Sequence, residues 1–238
     1  MLIYLDIAMT GFEQEDKICA LGCVVFENDS CVRTFYELVN EGKKIAALAS
    51  SKHNITNEMI QDKPAVKESE IYKFLQKENR EENSLIVHNA SHVLKMLASS
   101  GFKFKGTIID TFKVVKHLEQ ECEIFTLEYL RYELLLYRQE DKIKNMCGIK
   151  DALVSHNALA NAVVIKLLYD YLLRMATDEQ MHELSFKTVL LEKFNFGKYV
   201  GKYIEDIALS DRGYLLWMLS LENLDEDLKY SIEYYLEG

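Results

Sequence analysis

The chain has 238 residues, 49% of them hydrophobic, and a formal net charge of −10. That length suits one large domain or one domain with a small companion, and no stretch approaches the ~20 apolar residues of a membrane span or the basic-then-apolar start of a secretory leader. The acid excess weighs against nucleic-acid binding by the whole surface but not by a local site, and the five cysteines, with no CxxC pair, read as small core residues in a reducing cytoplasm rather than as a zinc site.

Residues 1–8 form a short apolar run with Asp6 near its end, the pattern of a buried strand. Residues 17–26 predict a second strand. Its Cys19 and Cys23 are separated by about 13 Å at ~3.3 Å per residue, too far to bridge. Residues 27–30 are a turn cluster, and alternating Val32, Thr34, Tyr36 and Leu38 predict a third strand over 31–39. Thr56 suits the N-cap of a short helix that Pro64 ends. Residues 68–77 predict an amphipathic helix with Ile71, Phe74 and Leu75 on one side. A buried strand over 84–88 leads into a helix over 90–99. A strand over 107–109 leads into a helix capped by Asp110, and a further helix opens near Thr126. Residues 151–175 read as one long helix, and 177–184 as a polar linker. The lysine clusters at Lys103/Lys105, Lys113/Lys116, Lys142/Lys144 and Lys198/Lys202 read as ordinary solvated faces.

Three segments carry the chemistry: Leu5-Asp6-Ile7-Ala8-Met9-Thr10-Gly11, Val87-His88-Asn89-Ala90-Ser91-His92-Val93 and His156-Asn157-Ala158-Leu159-Ala160-Asn161-Ala162. In order and spacing they resemble the motifs D-x-E-T-T-G, H-N-A-x-x-D and H-x-A-x-x-D of the DEDD 3′–5′ exonuclease superfamily, in its proofreading-exonuclease-like DEDDh branch. His53-Asn54-Ile55-Thr56-Asn57-Glu58-Met59 resembles the H-x-I-T-x-E-M segment of the same family. The resemblance covers about residues 1–176. It implies an α/β fold with a ribonuclease-H-like mixed sheet flanked by helices, and a site using Mg²⁺ or Mn²⁺ on the 3′ end of single-stranded DNA or RNA.

The frames persist while their charges are lost. Asp6 is retained as a metal-ligand position, but Ala8, Val93 and Asn161 stand where the family has carboxylates. Two divalent ions clamping a phosphodiester need a dense anionic cradle. Ala8 and Val93 offer no donor atom, and Asn161 offers a neutral carbonyl, so metal binding is doubtful unless acids such as Glu13, Glu15, Asp16 or Asp110 compensate. His156 matches the general-base position, vestigial without a metal-bound water to deprotonate. A partly buried structural histidine is an equal reading of it. It lies five residues before Asn161 and so must sit in a loop or first turn for both to face one site. The resemblance assigns nucleotide contacts to Met9, Thr10, Gly11, His88 and Asn89.

Beyond residue 184, Phe194-Asn195-Phe196-Gly197-Lys198-Tyr199-Val200-Gly201-Lys202 resembles the F-G-K-Y-K-G-K hairpin of small domains appended to some exonucleases of this type. A division into 1–176, a linker at 177–184 and a small α+β accessory domain over 185–238 follows. Tyr214, Trp217, Tyr230 and Tyr234 serve either as the core of that unit or as a base-stacking platform. Three functions remain open. The chain is an exonuclease-family protein that binds nucleic acid or a replication or repair partner with catalysis lost or weakened, a weak but genuine 3′–5′ exonuclease, or a protein-interaction module without a nucleic-acid role.

Overall fold

The computed structural model describes residues 1–13, 15–151, 153–154 and 156–237. Its centre is a five-stranded sheet in the order β3-β2-β1-β4-β5. Strands β1 (Leu2–Met9), β2 (Ile18–Glu27) and β3 (Ser30–Leu38) pair antiparallel, each with the next in the chain. Asn28 and Asp29 take φ of 47° and 61° in the tight β2–β3 turn, a conformation that short polar side chains tolerate. Strands β4 (Ser84–Val87) and β5 (Thr107–Asp110) add in parallel on the other side of β1.

The period of two along β1 sorts its neighbours. Ile3 and Leu5 enter one core with Leu21, Cys23 and Leu85, under α3 (Glu70–Lys77) and α4 (Ala90–Ser99). Tyr4 enters the other, beneath α5 (Thr111–Leu118), α6 (Leu127–Glu133) and α8 (Ala158–Leu172). Asp6 shares the Tyr4 face by the same alternation and therefore looks toward α8. Gly22, the β2 partner of Asp6, explains why α8 comes so close. A Cβ there would lie 2.1 Å from Ala158 C and Leu159 N at the start of α8.

Helices α1 (Ala47–His53) and α2 (Asn57–Ile60) fill the connection after β3, and α7 (Glu140–Met146) precedes α8. Neither α1 nor α7 is expected from the sequence pattern. The long helix read over 151–175 is shorter. Asn157 caps it, its side chain accepting from Leu159 and Ala160 N–H at 3.0 and 3.2 Å, so the helix starts at Ala158 and His156 lies outside it. Polar residues 177–184 do not form a linker. They form α9 (Asp178–Leu184), opened by a Thr177/Gln180 capping box and anchored by fully buried Met181.

The remaining residues gather around a separate apolar cluster of Val189, Leu191, Phe194, Ile204, Leu215, Met218, Leu228 and Ile232. Its helices are α10 (Ile204–Ser210), α11 (Arg212–Leu219) and α12 (Glu226–Glu237). The expected hairpin narrows to an isolated antiparallel bridge between Lys193 and Tyr203. Phe194 is buried and Tyr214 half-buried among these rings, while Trp217, Tyr230 and Tyr234 are exposed. Asp227 of α12, 1% exposed, ties the cluster to the larger unit. It receives Lys113 Nζ at 2.5 Å and Lys116 Nζ at 2.7 Å from α5, and Val189 N–H at 2.9 Å. No described helix is long and apolar enough to cross a membrane.

Candidate active site

An open cleft of about 440 Å³ lies at the C-terminal end of β1, within the usual range of about 300–1,000 Å³ for small-molecule pockets. Asp6, Ile7, Ala8 and Met9 form one wall, followed by Gly11 and Phe12 of the next loop. Helix α1 contributes Ala49, Lys52 and His53, and the start of α4 contributes Asn89 and His92. His156 and Asn161 close it from α8 and the residues before it. Tertiary folding thus brings residues of all three motif segments to one place.

Asp6 and Asn161 meet directly. The Asn161 side-chain amide donates to Asp6 Oδ2 at 2.9 Å. The amide therefore turns its nitrogen to the carboxylate instead of offering its carbonyl as a ligand. Burial pushes the Asp6 carboxyl up to about 7; the bonds from Asn161 and the Ile7 N–H pull the other way, and nearby Glu128 adds to the rise.

His156 stands on strained backbone, at φ 62°. Its Nδ1 lies 3.0 Å from Glu128 Oε1 of α6. That contact orients the ring and leaves Nε2 for other partners. His53 is consumed by the scaffold. Its Nε2 lies 3.0 Å from the Met9 carbonyl and its Nδ1 accepts from Ile55 N–H at 3.1 Å, so one neutral tautomer satisfies both atoms. Burial lowers its pKa, consistent with the neutral ring.

Several expected site residues serve elsewhere. Val93 is 2% exposed in the apolar core and does not itself line the cleft. Thr10 is buried, its hydroxyl donating to Asp16 Oδ1 at 2.7 Å and accepting from Lys17 N–H at 3.0 Å. His88 is not a cleft residue. Its Nδ1 lies 3.0 Å from Thr111 Oγ1 and its Nε2 lies 2.8 Å from the Phe125 carbonyl. Burial takes its pKa down to about 4, so it remains a neutral brace. Met9, Gly11 and Asn89 do line the cleft. Ala8 lines it too, contributing only a methyl group.

The compensating acids are absent from the cleft. Asp16 is buried, takes the Glu13 N–H at 2.7 Å and pairs with Lys43 at 3.0 Å. Asp110 accepts from Asn89, Ala90 and Phe112 N–H and so braces the starts of two helices. Glu13 and Glu15 are exposed and do not line it. The acid beside the site is Glu128, which sequence reasoning missed because its helix is remote in sequence and its partner stands in a loop. Lys52 and His92 were missed as well. The H-x-I-T segment pointed to the neighbourhood of His53 and Lys52 but not to a lining role.

The cleft charge set is therefore one carboxylate, one lysine and three histidines. This does not fit a two-metal centre, which needs several hard oxygen donors. Among the described residues no three His, Cys, Asp or Glu side chains are placed to share an ion.

The sequence matches the family model described as an exonuclease over residues 3–169. It is 27% identical to exodeoxyribonuclease 10 of Escherichia coli (strain K12) over 248 aligned positions, covering 100% of both chains. In fold it is similar to exonuclease X in complex with 5′ overhanging duplex DNA, with a TM-score of 0.59 and 21% identity over 78% of this chain and 99% of that one. The nuclease domain of 3′hExo, a DEDDh family member, bound to rAMP, aligns with a TM-score of 0.55 and 14% identity over 74% of this chain and 93% of that one.

Proposed function

Since this chain belongs to the exonuclease family by a match over residues 3–169, we propose that it holds the 3′-terminal nucleotide of a single strand in the Asp6 cleft without cutting it. The observation that carries this reading is the 2.9 Å hydrogen bond from Asn161 to Asp6. An amide donor occupies the face of the carboxylate that a metal would need, and the half-buried carboxyl is raised to about 7. Lys52, His92 and His156 can meet a phosphate directly, and loss of three carboxylates removes repulsion toward it. The relatives support the ligand class, because one solved neighbour holds DNA and another rAMP. On this reading residues 185–238 form an accessory domain, and the five free cysteines suit a reducing cytoplasm.

A second reading keeps weak hydrolysis. It is favoured by Glu128, a carboxylate that orients His156 at the cleft edge. One experiment separates the two. A 3′-fluorescent single strand is titrated with protein in EDTA, then incubated with Mg²⁺ and Mn²⁺. Binding in EDTA with no release of nucleotide, and release after the A8E/V93D/N161D restoration, is the expected result. Release by the unaltered chain that disappears in Asp6→Ala establishes the enzyme instead. No binding at low salt and no release defeats both readings.

A further inference from the structure

A second cavity, of about 270 Å³, lies at the start of β1 and shares no residue with the Asp6 cleft. The start of β1 gives it Leu2 and Tyr4, the β2–β3 turn gives it Glu27 and Asp29, and α8 gives it Lys166 and Asp170. Tyr4 is 0% exposed, and its hydroxyl has no hydrogen-bond partner. Among the described residues only Gln120 Oε1 is a buried side-chain polar atom in the same condition. A hydroxyl buried unpaired is costly, so a group that satisfies it binds at an advantage. Burial, then Tyr169, Asp170, Asp178 and Asp29, raise the pKa of this hydroxyl. Three of those four residues line the cavity, which puts the hydroxyl end of the ring on the cavity side.

Lys166 shows how this cavity holds an ammonium group. Its Nζ donates to both Asp170 carboxylate oxygens at 2.6 Å and lies 4.8 Å from the Phe26 ring centroid and 5.7 Å from that of Tyr4. A carboxylate and aromatic faces act on it together. The Met1 ammonium, also at the cavity, donates to Asn83 Oδ1 at 3.0 Å. Both cations are thus engaged, while the exposed carboxylates of Glu27 and Asp29 meet no cation among the described residues.

We propose that this cavity binds a small aliphatic amine, a diamine or polyamine, with an ammonium group held by Asp29, Glu27 and the Tyr4 hydroxyl. The ammonium N–H groups donate to the carboxylates and the phenol oxygen, and the methylene stem lies on Leu2 and Phe26. A divalent metal fits less well. It needs several hard oxygen donors around one point, and among the described residues no three His, Cys, Asp or Glu side chains are placed to share an ion. An anion would meet the unpaired carboxylates.

The test titrates the full chain with spermidine in a calorimeter at roughly 0.15 M NaCl, where exposed charges are screened beyond about 8 Å. Saturable binding is expected, competed by putrescine and not by MgCl2 at equal concentration of charge. Asp29→Asn, which the φ of 61° tolerates, should weaken it about tenfold, the scale of one charge-assisted hydrogen bond. Tyr4→Phe removes only the unpartnered hydroxyl. It should weaken binding by a smaller factor while the urea midpoint holds or rises. Unchanged affinity in either variant overturns the proposal. So does displacement by MgCl2 or the absence of saturation, either of which reports only diffuse attraction to a chain of net charge −10.

Discussion

Asp6 keeps the residue type of the motif in a setting that shifts its titration. Its carboxyl is raised from the ordinary carboxylate range to about 7, chiefly by burial. The folded state therefore holds a proton that the unfolded chain has already released between about pH 4 and 7. Stability falls across that window as pH rises, because the folded state must then carry a buried charge. Asp6→Asn is expected to raise the urea midpoint at pH 8 and to leave it nearly unchanged at pH 4. Equal effects at both values would show that the carboxyl titrates normally. Much of this residue was legible in the chain, since the motif frame marks Asp6, Ala8 and Asn161 as positions of one site. The direction of the Asn161 amide was not legible, because a side-chain rotamer depends on what faces it across 155 residues of chain.

At the scale of elements, the approach of α8 to the sheet sets the site. Gly22 in β2 leaves room for Ala158 and Leu159. Gly22→Ala would drive a Cβ into backbone, which cannot yield as a flexible side chain does, so a loss beyond the usual overpacking cost of about 1–3 kcal/mol is expected in denaturant unfolding. A loss below about 0.5 kcal/mol would mean that α8 shifts freely, since substitutions without such a mechanism stay within roughly that range. The strands were readable from alternation and turn residues, and helix 90–99 from its periodicity. Helix α9 was not. Its polar face hides the single buried Met181, and a short helix of this kind is stabilised mainly by packing and its capping box. Helices α1 and α7 are equally short and leave little periodic signal.

Across the whole molecule, the C-terminal cluster is joined to the larger unit by Asp227 with Lys113 and Lys116. Burial alone would raise the Asp227 carboxyl, but the two ammonium groups outweigh it and hold the pKa below the ordinary value. Its ionised form therefore stabilises the fold above the usual carboxylate range, and that contribution fades as pH falls through the folded pKa. Asp227→Leu leaves the 3% exposed Lys116 buried without its partner, and a cost of about 3–5 kcal/mol is expected from such a break. The D227L/K116M pair should recover most of it, read from a double-mutant cycle in urea. Additive losses would show that the ion pair does not dock the C-terminal cluster on the larger unit.

The order of motifs, the strand alternation and the missing carboxylates were all readable from the chain, because they are local patterns or residue identities that folding does not alter. They sufficed for the sheet architecture and for doubt about a two-metal site. The engagement of Thr10, Asp16, His88 and Asp110 in the scaffold waited on packing, as did the arrival of Glu128 beside His156 and the docking of Asp227. Each is a meeting of side chains from separate elements. Such a meeting depends on burial and on close contacts, such as that at Gly22, which no spacing along the chain encodes.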